Sequence, residues 1–140
     1  MSTVTSSPDV GAEHVPTRLA GTLARTTVSV GVLAAAVTTA GAVGLRAAGV
    51  PLALHGKIPL AAFAQVTFVA AVIGGVLVAL LNRRSSAPRR PFVQVTIGLT
   101  AISCAAPAAF ADTTASRVAL VGLHLVAAAI IVPALARHSH

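Results

Sequence analysis

One histidine stands apart among the side chains that could carry chemistry in this sequence. His124 lies inside an apolar run, about seven residues and so about 10 Å from the nearer end of the helix that the run predicts. An ionisable residue at such a depth in an apolar helix marks a functional site by default. The plainer interpretation, which we favour, is a neutral imidazole that hydrogen-bonds to a neighbouring helix and stabilises packing by about 1 kcal/mol.

Other polar side chains fall at the level of His124 when the apolar runs are folded into hairpins. With a turn centred near Thr114, position 124 faces position 104, and Gln65 lies at a similar depth in its own run. The predicted polar layer has members from all four runs: Thr38, Thr39, Gln65, Ser103, Cys104 and His124. It is either a hydrogen-bonded network that ties the helices together, which we favour, or the lining of a small polar cavity open to the outside.

The layer lacks the residues that metal binding or catalysis needs. One His with one Cys does not complete a zinc or copper site, which takes three or four ligands. The nearest acid to His124 is Asp112, about a helix turn or more away and better placed as a helix cap. No Asp or Glu falls inside an apolar run, so the carboxylate of small proton-coupled exporters is missing. We expect no enzyme activity, no metal and no cofactor.

Four long apolar runs must position these side chains. They cover residues 26–45, 58–81, 92–111 and 118–136, and about 20 helical residues span about 30 Å, the thickness of a bilayer hydrocarbon core. Hydrophobic residues make up 56% of the 140 residues and charged residues only 9%, which a soluble domain of this size could not accommodate. The sequence predicts an all-α integral membrane protein, a compact bundle of four transmembrane helices within residues 21–137.

Boundary signals flank the apolar runs. Residues 1–20 are polar without apolar periodicity and predict a disordered cytoplasmic tail, and residues 138–140 predict a polar C-terminal tail. The first run is too long for the apolar segment of a secretory signal peptide. Pro59 suits the first turn of the second helix. The N-cap candidates of the fourth helix are Asp112, Thr113 and Thr114.

Arginine and lysine lie between the apolar runs and predict the orientation of the chain. One side holds Arg18, Arg25, Arg83, Arg84, Arg89, Arg90 and Arg137, and the other holds Arg46, Lys57 and Arg117. Because cytoplasmic loops carry the excess of cations, both termini are expected in the cytoplasm.

The same cations predict the partners of the chain. The net charge of +7 is not gathered into one exposed patch of the kind that binds nucleic acid, so we expect no nucleic-acid partner. We expect the cluster between the second and third runs to orient the chain and to contact anionic lipid, at about 1 kcal/mol per cation. Its members are Arg83, Arg84, Arg89 and Arg90.

Short motifs follow one another along the apolar part of the chain. They are Lys-Ile-Pro-Leu-Ala-Ala-Phe-Ala-Gln at 57–65, Gly74-Gly75, Pro107 followed by Asp112-Thr-Thr, and Arg117 through His124 to Pro133. Together they resemble, over roughly residues 25–137, a family of small actinobacterial four-helix integral membrane proteins classed as a domain of unknown function. The resemblance implies the same fold in a bacterial plasma membrane, and it implies no activity, substrate or cofactor.

The function expected from the sequence is therefore broad. We expect a non-enzymatic membrane component or subunit in contact with membrane lipids and with a second copy or another membrane protein. The alternative is a small transporter, or a transporter subunit, that uses the polar layer around His124.

Overall fold

The computed structural model describes residues 15–53, 56–85 and 87–139, with side chains from residue 21 onward. In this part of the chain there are four helices: α1 (Val15–Ala47), α2 (Leu60–Arg84), α3 (Arg89–Phe110) and α4 (Thr114–Ala136). The described part of each helix is long and apolar enough to cross a membrane. The prediction of an all-α chain with four potential spans is confirmed.

The helix boundaries differ from the predicted ones at several ends. α1 begins at Val15, inside the predicted tail, with Pro16 in its first turn where the missing amide costs nothing. The remainder of that tail, residues 1–14, lies outside the described residues. Pro59 occupies the N-cap of α2 instead of its first turn. Thr113 is the N-cap of α4, and its hydroxyl accepts a 3.1 Å hydrogen bond from the Ser116 amide.

The helices pack in a ring with one loosely closed side. α1 packs along α2, α4 packs against α1, and α3 packs mainly on α4. Between α2 and α3 the described backbones approach each other much less than those of the other neighbouring pairs do. The order around the bundle is therefore α2, α1, α4, α3, and the α2–α3 side leaves room for a cleft.

Small residues bring α1 and α2 together. A Cβ atom on Gly31 would lie 3.0 Å from Cδ2 of Phe68, and one on Gly75 would collide with the side chain of Thr27. Close approach of this kind increases the van der Waals contact between the two helices. The Oγ1 atoms of Thr38 and Thr67 are 3.1 Å apart and join the two helices by a buried hydrogen bond.

One end of the bundle, which we call the loop end, is covered by the described residues of the connection between α1 and α2, 48–53 and 56–59. α1 stops there in a Schellman motif: Gly49 has φ 81°, and the Val50 amide donates a 2.9 Å hydrogen bond to the Leu45 carbonyl. The connection then buries Leu52 between the helices. Two side chains hold it, since Arg46 donates to the Ile58 carbonyl and Ser116 donates to the Pro51 carbonyl.

The opposite end, which we call the arginine end, carries the connection between α2 and α3 and the last described residues. Asn82 Nδ2 donates a 2.8 Å hydrogen bond to the His138 carbonyl, and the His138 ring lies 3.3 Å from the Thr26 hydroxyl. Ser139 is buried. The predicted polar tail therefore folds back onto α1 and α2, as far as residue 139.

A candidate ligand cleft

A cleft of about 310 Å³ lies between α2, α3 and α4, on the loosely closed side of the bundle, and we call it the α2–α3 cleft. Val66, Ala70 and Ile73 of α2 and Leu99 of α3 line it and are exposed, so they form its mouth. Buried side chains of the other lining residues form its floor, among them Thr38, Thr67, Phe92, Thr96, Leu123 and Ile131. Its volume and its mainly apolar lining are those of a small-molecule site.

Six polar side chains line the cleft, and His124 is the one that carries a ring nitrogen. Its Nδ1 atom lies 2.8 Å from the carbonyl oxygen of Leu120, one turn earlier in α4. A carbonyl only accepts, so Nδ1 must carry the hydrogen, and in a neutral imidazole Nε2 then presents a lone pair. Within the described part of the chain, Nε2 has no hydrogen-bond partner. His124 is half-buried.

The hydroxyl groups of α3 that line the cleft donate their hydrogens to backbone carbonyls of the same helix. Thr96 donates to the Phe92 carbonyl, Thr100 to the Thr96 carbonyl and Ser103 to the Thr100 carbonyl, each at 2.8 Å. Back-bonding of this kind satisfies a hydroxyl that would otherwise be stranded in apolar surroundings. Each oxygen keeps lone pairs but has no hydrogen left to donate.

Thr38 and Thr67, at the floor of the cleft, also donate their hydroxyl hydrogens to protein oxygens. Thr38 donates to the Ala34 carbonyl at 2.9 Å. Because that hydrogen is used, the 3.1 Å contact between Thr38 and Thr67 is a donation from Thr67 to Thr38. All six polar side chains of the lining therefore donate to protein oxygens, and the α2–α3 cleft offers acceptors only.

The structure brings together three of the six residues of the predicted polar layer: Thr38, Ser103 and His124 all line the cleft. Gln65 is exposed on α2 and does not line it. Thr39 is half-buried, with a buried hydroxyl that has no partner in the described structure. Cys104 lines a second groove that is formed by α3 and α4 alone. Adjacent residues differ by about 100° around a helix, so a shared level does not give a shared face.

Three polar lining residues are absent from the layer that the sequence predicts: Thr67, Thr96 and Thr100. A usable signal was present for two of them. Thr96, Thr100 and Ser103 are spaced by four and three residues, which puts their side chains on one face of a helix. Thr67 is separated by 29 residues from its partner Thr38, and no local pattern links the two.

The described side chains assemble no metal site, since no group of three or more His, Cys, Asp or Glu residues is found among them.

The four arginines of the predicted cluster lie at the arginine end, and all are exposed. Arg83 and Arg84 occupy the last turn of α2, where a cation is favoured by the helix dipole. Arg89 and Arg90 occupy the first turn of α3, where the dipole disfavours a cation.

Comparison with known proteins gives a family and no activity. The model of a family of unknown function, DUF6069, matches residues 18–140, so the chain belongs to that family. No curated protein and no solved structure matches the chain. The resemblance to a family of unknown function is confirmed at this level, and the helices agree with a membrane protein.

Proposed function

We propose that this member of a family of unknown function is a multi-pass protein of an actinobacterial plasma membrane and acts there as a non-enzymatic component. The observation that carries the proposal is the outward face of the bundle. Ile102, Val118 and Ile97 are 70%, 67% and 62% exposed, and each of the four helices carries further exposed Val and Leu side chains. Apolar surface on this scale is costly in water and is the natural surface of a helix in lipid.

The proposed orientation has both termini in the cytoplasm. The arginine end carries seven of the ten cations, and cytoplasmic ends hold such an excess. The position of Arg89 and Arg90 supports a role in orientation, because cations in a first helical turn oppose the helix dipole and do not stabilise the helix. Anionic lipid at the cytoplasmic surface is the proposed partner of these arginines.

The absence of enzyme activity is part of the proposal, and the bonding of the cleft supports it. A serine nucleophile needs a base within hydrogen-bond reach to take its proton. Ser103 instead gives its hydrogen to the Thr100 carbonyl, and the described lining of the cleft contains no carboxylate. Its hydroxyls and its imidazole act as packing and recognition groups. The proposed macromolecular partner is a second copy or another membrane protein.

A second candidate function, transport, is favoured by the extent of the cleft. On α2 the lining runs from Phe63 to Leu77, about 21 Å along the helix, and this covers much of a bilayer. A transporter would use His124 as its polar site in this path. Solute flux into proteoliposomes that is abolished by His124→Leu would favour transport over a purely structural component.

Topology mapping tests the main proposal. Reporter fusions at residue 86 and at the C-terminus should both read cytoplasmic, and fusions at Gly49 and Thr114 should read external. The chain should also stay in the membrane pellet after extraction with alkaline carbonate. Fusions at residue 86 and the C-terminus on opposite sides, or release by carbonate, would contradict the proposal.

A further inference from the structure

The α2–α3 cleft has the chemistry of a binding site for a particular class of lipid. We propose that it binds a neutral amphiphile with one hydroxyl group and one hydrocarbon chain, which enters sideways from the bilayer and donates its O–H to Nε2 of His124. The inference rests on the proposed placement of the chain in a membrane. It adds a ligand class that neither the family nor the fold supplies.

The bonding pattern of the lining selects a hydrogen-bond donor. The hydroxyls of Thr96, Thr100 and Ser103 and the Nδ1–H of His124 are all directed to backbone carbonyls. A ligand with only acceptor groups, such as an ester, ketone or ether, would therefore bury its oxygen without a partner, and that costs binding free energy. An alcohol or a phenol supplies the missing hydrogen, and we assign Nε2 of His124 as its acceptor because an imidazole nitrogen accepts more strongly than the hydroxyl oxygens of the lining.

The charge of the lining selects a neutral donor. An ammonium group could also donate to Nε2, but no acidic side chain is among the described residues that line the cleft. Burying a cation in apolar surroundings without a counter-charge costs far more than one hydrogen bond returns. A carboxylate is excluded too, because its negative charge would face the acceptor lone pairs of the lining residues without a hydrogen-bond donor.

The part of the cleft nearest the arginine end is lined by apolar side chains only, whereas five of the six polar side chains lie among apolar ones within about 15 Å of the loop end, Thr96 being the exception at about 21 Å, and this distribution fits an amphiphile. Measured along their helices, Thr67, Ser103 and His124 lie about 10 to 15 Å from the loop end. Leu77 and Phe92, which line the cleft near the arginine end, lie about 26 to 27 Å from it. The hydroxyl group would bind near the loop end, and the hydrocarbon chain would run toward the arginine end.

The position of the mouth indicates the route of entry. The described part of the connection between α1 and α2, with the buried side chain of Leu52, covers the loop end, and Phe92 is fully buried at the other extremity of the cleft. Val66, Ile73 and Leu99 are exposed at the side, between α2 and α3. In a bilayer these apolar side chains face lipid tails, so a ligand dissolved in the membrane reaches the cleft without crossing water.

Photolabelling in vesicles tests the inference with the full chain. The probe is a long-chain alcohol with a diazirine near the end of its chain, and its methyl ether is the matched control because it lacks only the O–H. Both are added to the purified protein in vesicles of phosphatidylethanolamine and phosphatidylglycerol. We expect the alcohol to label residues near Leu77 and Phe92 about fivefold to tenfold more than the ether, the ratio that one hydrogen bond supports.

Variants assign the hydrogen bond to His124. His124→Leu should bring the alcohol-to-ether ratio down to about one, and His124→Gln should keep part of the preference because its amide oxygen accepts. Gln65→Leu removes a polar side chain outside the cleft and should change nothing. Ala70→Phe narrows the mouth and should weaken labelling by both probes.

Each other outcome overturns the inference and identifies which proposal fails. Equal labelling of the wild-type chain by alcohol and ether, or labelling outside the cleft, overturns the ligand class while leaving the membrane proposal intact. A preference that survives in His124→Leu overturns the assigned acceptor. Failure of the chain to remain in the membrane, checked by carbonate extraction of the same vesicles, overturns both proposals.

Discussion

Helix α2 packs so closely on α1 that the contact requires glycines, whereas between α2 and α3 there is a cleft of about 310 Å³. Gly75 of α2 admits Thr27, and Gly31 of α1 admits Phe68. On the side toward α3, Val66 and Ile73 of α2 and Leu99 of α3 line the mouth of the cleft and are exposed. One helix therefore takes part in a closely packed pair and also forms one wall of an open site.

The hydrogen bonds of the two regions differ in the same way. Across α1 and α2 the Thr67 hydroxyl donates to Thr38 of the other helix. On the α3 side of the cleft, Thr96, Thr100 and Ser103 donate to carbonyls of their own helix, and among the described residues these hydroxyls make no bond to another helix. The polar layer predicted from the sequence as an interhelical network is thus a network only at Thr38. Ser103 and His124 line the α2–α3 cleft together with Thr38, and the mouth of that cleft lies between α2 and α3 instead of at the loop end.

The largest effect is expected where α1 and α2 are closest. Gly75→Ala places a Cβ atom against the side chain of Thr27 and must push the helices apart, which should cost about 1 to 3 kcal/mol of unfolding free energy. The measurement is reversible unfolding in mixed detergent micelles. Gly98→Ala is the matched control, because a Cβ on Gly98 meets nothing within 4 Å and the change should be neutral or slightly stabilising. Equal losses in both variants would contradict the close packing of α1 and α2.

A smaller effect is expected from the hydrogen bond between the two helices. Thr67→Val keeps the side-chain shape and removes the hydroxyl, and should lower the unfolding free energy by about 0.6 kcal/mol. Thr100→Val is the control, since its hydroxyl bonds only within α3 and the surrounding cleft tolerates the change. The same unfolding titration measures both. A larger loss for Thr100→Val would show that the polar groups of the cleft hold the bundle together.

The sequence predicts where the helices of this chain lie better than it predicts which face of each helix packs against its neighbours. Length and apolarity are local properties, and they give four helices whose ends shift by a few residues where caps intervene, as at Thr113. The exception is the start of α1, which lies at Val15, eleven residues before the apolar run. The polar segment between them is helical, and Pro16 is compatible with the first turn of the helix.

The site is only half predictable for a physical reason. Counting residues from a turn gives the depth of a side chain, and Thr38, Ser103 and His124 do share one cleft. The rotation of each helix about its axis depends on how the helices pack. Helices that are apolar on all sides carry little periodic signal to reveal that rotation. Gln65 and Cys104 have the expected level and lie on other faces.

The central claim is that the cleft opens sideways into the bilayer, and the accessibility of a spin label at Ser103 tests it most directly. In a Cys104→Ser background, a nitroxide on a cysteine at Ser103 should collide often with oxygen, which concentrates in lipid, and rarely with a water-soluble nickel chelate. Frequent collision with the chelate would instead show an aqueous cavity open to the outside. Rare collision with both reagents would show that α2 and α3 close against each other, and either result would contradict the account.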